Sequence, residues 1–84
     1  MIIKFTSFIK FGSKNVSMTK EIEWPCLPNK GDCIFVGDEL ELEIDSILHE
    51  IEINQISILL EDIKLHHEED YEDIINMLKE HGWN

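Results

Sequence analysis

The chain has 84 residues and a formal net charge of −11, with 18 acidic residues against seven lysines and no arginine. That length holds one domain with one small core and little room for an enclosed active-site cavity. The charge and the missing arginine argue against binding nucleic acid or an anionic membrane, whose phosphates are met by lysine and, bidentately, by arginine.

The charge is unevenly spread. Residues 1–30 carry five lysines against Glu21 and Glu23, a balance of +3, while residues 31–84 carry two lysines against sixteen acids, a balance of −14. The opening MIIKFTSFIKF is interrupted by Lys4 and Lys10 and is followed by no small-residue cleavage site, so it does not read as a secretory signal. No apolar run is long enough to span a bilayer. Two cysteines suit a reducing compartment, and the chain reads as cytoplasmic. There are fourteen isoleucines and no alanine, a composition that leans toward pleated sheet.

Residues 2–11 alternate, with Ile3, Phe5, Ile9 and Phe11 on one face and Lys4, Thr6 and Lys10 on the other, which predicts a half-buried strand. GSKN at 12–15 is a turn cluster. Residues 16–24 alternate again through Val16, Met18, Ile22 and Trp24, so the two runs form a β-hairpin. Pro25 and Pro28 end the second strand, and PNKGD turns the chain with Gly31 where positive φ is most needed. CIFV at 33–36 is a short strand, closed by a Gly37–Asp38 turn.

The stretch 39–53 has two readings. Leu40, Leu42 and Ile44 alternate with glutamates, then Ile47, His49, Ile51 and Ile53 alternate in the opposite phase. One extra residue near Asp45–Ser46, a β-bulge, reconciles the two phases. The rival is a helix through Ile44, Ile47, Leu48 and Ile51. The isoleucines and the strict glutamate alternation select the strand. Residues 55–61 form a fifth, central strand through Ile56, Ile58 and Leu60. Residues 68–81 form a helix with an apolar stripe of Tyr71, Ile74, Ile75 and Leu78. Acids load its first turn and Lys79 its last, as the helix dipole favours. Gly82 is the left-handed cap, over which Trp83 folds back onto Leu78.

No constellation carries catalytic chemistry. Cys26 and Cys33 are separated by six residues, wider than the usual zinc-knuckle spacing of about two to four, and read as ordinary thiols, although a disulfide across the turn is geometrically open to them. HHEED at 66–70 spreads its side chains around a helix start and reads as a solvated face. Neither cysteine pairs by spacing with His49 as nucleophile and base. No glycine-rich phosphate loop is present. The chain is therefore expected to be no enzyme, with no cofactor and no metal.

The segment KGDCIFV at 30–36, with WPCLPN before it, resembles the diverging turn of Src-homology-3-type barrels, and is similar to small bacterial and phage-associated barrel proteins of unknown function. The likeness covers 24–36. It implies a barrel fold. It carries over no peptide-binding residues, because the Ala-Leu-Tyr-Asp-Tyr segment, the paired tryptophans and Pro-x-x-Tyr are all absent.

The fold expected is α+β, mostly β: about five antiparallel strands in a small, partly open barrel with one C-terminal helix. The expected core is Ile3, Phe5, Ile9, Val16, Met18, Ile22, Ile34, Val36, Leu42, Ile44, Ile51, Ile56, Ile58, Leu60, Tyr71, Ile74, Ile75 and Leu78. The function expected is a non-catalytic interaction or assembly module, acting through an exposed strand edge on a protein partner or on a second copy of itself. The alternative is an acidic decoy for a basic nucleic-acid-binding protein. Glu39, Glu41, Glu43, Glu50 and Glu52 are the candidate partner surface.

Overall fold

The computed structural model describes residues 1–37 and 40–84. Strands β1 (Ile2–Phe11), β2 (Lys14–Glu23), β3 (Cys33–Val36), β4 (Leu40–Glu50), β5 (Gln55–Leu60) and β6 (Ile63–Leu65) precede one helix, α1 (Glu68–Glu80). The strands form one open sheet in the order β2-β1-β5-β4-β3, with β6 also pairing β1. This is an α+β, mostly β, partly open barrel-like fold.

The first hairpin follows from the alternation. Its ten ladder pairs run from Ile2↔Glu23 to Phe11↔Lys14, so the turn is only Gly12–Ser13. Gly12 takes φ 56° and Ser13 does not take positive φ, the arrangement of a type II′ turn, whose twist matches that of the strands. Lys14 and Asn15, expected in the turn, belong to β2.

Two features differ from the five antiparallel strands expected. There are six strands among the described residues, and β1 pairs in parallel with β5 (Ile3↔Ile56 to Thr6↔Leu59) and with β6 (Ile9↔Ile63 to Phe11↔Leu65). Residues Trp24–Asp32 carry the chain from β2 at one edge to β3 at the other. Two antiparallel returns, β3 to β4 and β4 to β5, then lay β5 beside β1 in the same direction. Alternation fixes which face a residue takes but not which strand lies beside it or in which direction.

The sheet curls at two one-residue insertions that sit side by side. In β4 the register with β5 shifts between Ile44↔Leu60 and Ser46↔Leu59, which is the bulge expected at Asp45–Ser46. The second lies between β5 and β6. Phe5 is opposite Ile58, but Ile9 is opposite Ile63, so one residue of Glu61–Asp62 is extra. Each insertion swaps the inward phase, from Leu42 and Ile44 to Ile47 in β4, and from Ile58 and Leu60 to Ile63. Each also adds local twist.

The curled inner face and α1 enclose the core. Ile3, Phe5, Ile9, Met18, Val36, Leu42, Ile44, Ile58, Leu60, Ile63, Leu78 and Trp83 are buried, and a fully buried aliphatic or aromatic side chain contributes about 1.5–3 kcal/mol. Val16, Ile22, Ile34, Ile56, Tyr71, Ile74 and Ile75 pack half-buried around them. Trp24 meets Phe5 edge-on at 5.5 Å between centroids. Ile51 is a correction: it is 86 % exposed. The pairing of Ile47 with Ile58 ends at Glu50↔Gln55, so Ile51–Asn54 must turn the chain, with Asn54 at φ 50°.

Helix α1 ends in a Schellman motif. The Gly82 N–H donates to Lys79 O at 3.1 Å and the Trp83 N–H to Leu78 O at 3.0 Å, with Gly82 at φ 87°. This geometry satisfies two orphan carbonyls and brings Trp83 onto Leu78.

Candidate functional site

The stretch NKGDCIFV builds one edge of the sheet. The Asp32 N–H donates to Asn29 O at 3.1 Å, and the Asn29 N–H donates to Asp32 Oδ2 at 2.9 Å, which closes the turn. The Gly31 N–H then donates to Ile44 O and the Ile44 N–H to Asp32 O, clipping the start of β3 onto β4. Gly31 is at φ 92°.

That last bond sets the phase of the ladder. In an antiparallel pair, hydrogen-bonded and non-hydrogen-bonded residue pairs alternate. With Ile44 bonded to Asp32, the pairs Cys33↔Glu43 and Phe35↔Glu41 are the non-hydrogen-bonded kind. The main-chain N–H and C=O groups of Cys33 and Phe35 therefore point away from β4, off the sheet. Among the described residues none of these groups has a main-chain partner. The same phase sends the Val36 side chain into the core and those of Cys33 and Phe35 outward. Phe35 is 75 % exposed, and Cys33, Glu41 and Glu43 are exposed around it.

The electrostatics are one-sided. Residues 31–63 hold ten carboxylates and no lysine or arginine. Glu41 and Glu43 form no ion pair among the described residues. The Cys33 thiol reports the field. Partial desolvation pushes its pKa up first, then the Glu41 carboxylate, which also accepts its hydrogen bond, then Glu43 and Glu61.

The opposite edge, β2, is different. Met1 and Trp24 exchange main-chain bonds, so the even residues of β2 face β1 and the odd ones face out. Midway along that outer edge, Thr19 exchanges both bonds with Asn84, at 2.9 and 3.0 Å. The Lys20 ammonium also donates to the His81 carbonyl beside it.

Of the five glutamates singled out by sequence, Glu41 and Glu43 stand together beside Phe35. Glu50 accepts a hydrogen bond from Ser57 Oγ at 3.2 Å, and Glu52 lies in the β4–β5 turn. At about 3.3 Å per residue, Glu50 is roughly 23 Å along the strand from Glu43, so the five do not make one patch. Glu39 lies outside the described residues. Phe35 was the residue missed. Its signal was the phase of CIFV: with Ile34 and Val36 inward, Phe35 must point out, opposite Glu41.

Elsewhere, the two insertions line a polar hollow with Asp45, Glu61, Asp62 and Lys64, where Lys10 pairs with Asp62 at 2.9 Å. Among the described residues no group of three His, Cys, Asp or Glu side chains is placed to hold a metal ion, and no helix is long and apolar enough to cross a membrane. Cys26 and Cys33 are free thiols. No family model, no curated protein and no solved structure matches the chain.

Proposed function

We propose that the chain is a non-catalytic protein-interaction module that takes an extended segment of another protein as an added strand along β3. The observation that carries this reading is the pair of open main-chain positions at Cys33 and Phe35, next to an aromatic ring left in solvent. Strand addition uses such groups, with main-chain bonds for affinity and alternate side chains for specificity. The contrast with β2 supports it, because there the chain fills the middle of its own edge.

The test is selection of extended decapeptides from a random displayed library, followed by synthesis with alternate amides N-methylated. Methylation of the set that faces β3 abolishes binding, and methylation of the other set leaves it. Binding indifferent to both sets contradicts the reading.

The ten carboxylates of residues 31–63 favour a second reading, an acidic decoy that occupies a basic nucleic-acid-binding protein. A decoy acts through charge alone, so its binding collapses at high salt and needs no main-chain pairing. The same N-methylated peptides separate the two.

A further inference from the structure

Resting on the strand-addition reading, we infer that the partner segment at the β3 edge is basic, with lysine or arginine at alternate positions on the side that carries Phe35, Glu41 and Glu43. A strand laid on β3 places its residues opposite Cys33 and Phe35 as hydrogen-bonded pairs, and their side chains share the outward face. Neighbouring strands lie about 4.8 Å apart, so Glu41 and Glu43 on β4 are about 10 Å from the added backbone. That gap is within the combined reach of a lysine and a glutamate side chain. The stem of such a lysine lies along the Phe35 ring, which favours a cation over its face. An acidic segment at the same place adds charge beside Glu41 and Glu43, which form no ion pair among the described residues, and like charges side by side are destabilising.

The occupant is not a second copy of this chain. Two β3 edges paired with each other bring two rows of glutamates together. Among the described residues the longer edge a second copy offers, β2, is interrupted at its centre, where Thr19 pairs with Asn84. The net charge of −11 instead draws in a cationic partner over a distance and speeds its encounter.

The experiment uses three fluorescent decapeptides in which valine alternates with lysine, glutamine or glutamate. Anisotropy gives affinity, and residue-resolved amide exchange gives location. The lysine peptide is expected to bind at least about tenfold more tightly than the glutamine peptide, with the glutamate peptide weakest, and to slow exchange at the Cys33 and Phe35 amides. The double variant Glu41→Gln/Glu43→Gln, both sites exposed, removes most of that preference and leaves the glutamine peptide unchanged. Equal binding of the lysine and glutamine peptides at β3 overturns the basic partner and leaves the strand-addition reading standing. If no peptide binds, or bound peptide leaves Cys33 and Phe35 exchanging freely, the strand-addition reading fails and the inference falls with it.

Discussion

The two edges of this sheet are finished in different ways. The β2 edge is ten residues long, mixed in charge, and closed at its centre by Asn84. The β3 edge is four residues long, flanked by glutamates and open. A long bare edge invites pairing with any chain it meets, and short length and charge are common ways to blunt one. Here the long edge is interrupted at its centre by main chain, while the short one is flanked by negative charge. Charge is a selective guard. On the strand-addition reading proposed above, it disfavours acidic strands and admits basic ones.

The comparison is broken most severely at Trp83. Its indole is 5 % exposed and positions Asn84 against Thr19. Trp83→Ala is expected to cost about 3–5 kcal/mol by chemical denaturation, with the Thr19 amide losing protection. Loss of stability with Thr19 still protected means that something other than Trp83 holds Asn84 in place.

Gly37 follows, where β3 ends against the helix. It is at φ 65°, and a Cβ there collides with Met77 Sδ. Gly37→Ala is expected to cost about 2 kcal/mol, from left-handed backbone and displacement of Met77 together. Adding Met77→Ala relieves the second part only, so the double variant is less unstable than the sum of the singles, by the same denaturation measurement.

Ser7 tests the strand both edges depend on. It lies where β1 passes from β5 to β6, is 0 % exposed, and its hydroxyl has no hydrogen-bond partner among the described residues. A buried hydroxyl without a partner is a desolvation cost. Ser7→Ala is expected to raise stability by about 1 kcal/mol and to leave peptide binding at β3 unchanged. A loss of stability shows that the hydroxyl is satisfied after all.

The smallest effect is kinetic. A raised Cys33 pKa means less thiolate at a given pH, so Cys33 alkylates more slowly with iodoacetamide at pH 8 than it does in Glu41→Gln. Equal rates in the two proteins mean that the Glu41 carboxylate does not act on the thiol.

Much of this was legible in the sequence because it is local. The first hairpin, the bulge at Asp45–Ser46 and the Gly82–Trp83 cap each follow from residues close together in the chain. What was hidden is what depends on distant neighbours. The parallel pairing of β1 and β5 leaves no mark on either strand's alternation. Strand β6 has three residues, too few for any period to register, and its one buried residue, Ile63, sits among charges. Ile51 continues the pattern of Ile47 and His49 perfectly well, and only the pairing of β4 with β5 shows that the strand has already ended. The open edge itself was half-visible. The phase of CIFV exposes Phe35, but no pattern in the chain shows that β3 lies at the margin of the sheet or that Asn84 closes the other one.

The most direct measurement is residue-resolved amide exchange on the free protein. The Thr19 amide should be protected while those of Ser17 and Glu21 exchange quickly, and the Cys33 and Phe35 amides should exchange quickly beside protected Ile34 and Val36. Protection at Cys33 and Phe35 without any partner, or Thr19 exchanging as fast as Ser17, contradicts the contrast between a closed edge and an open one.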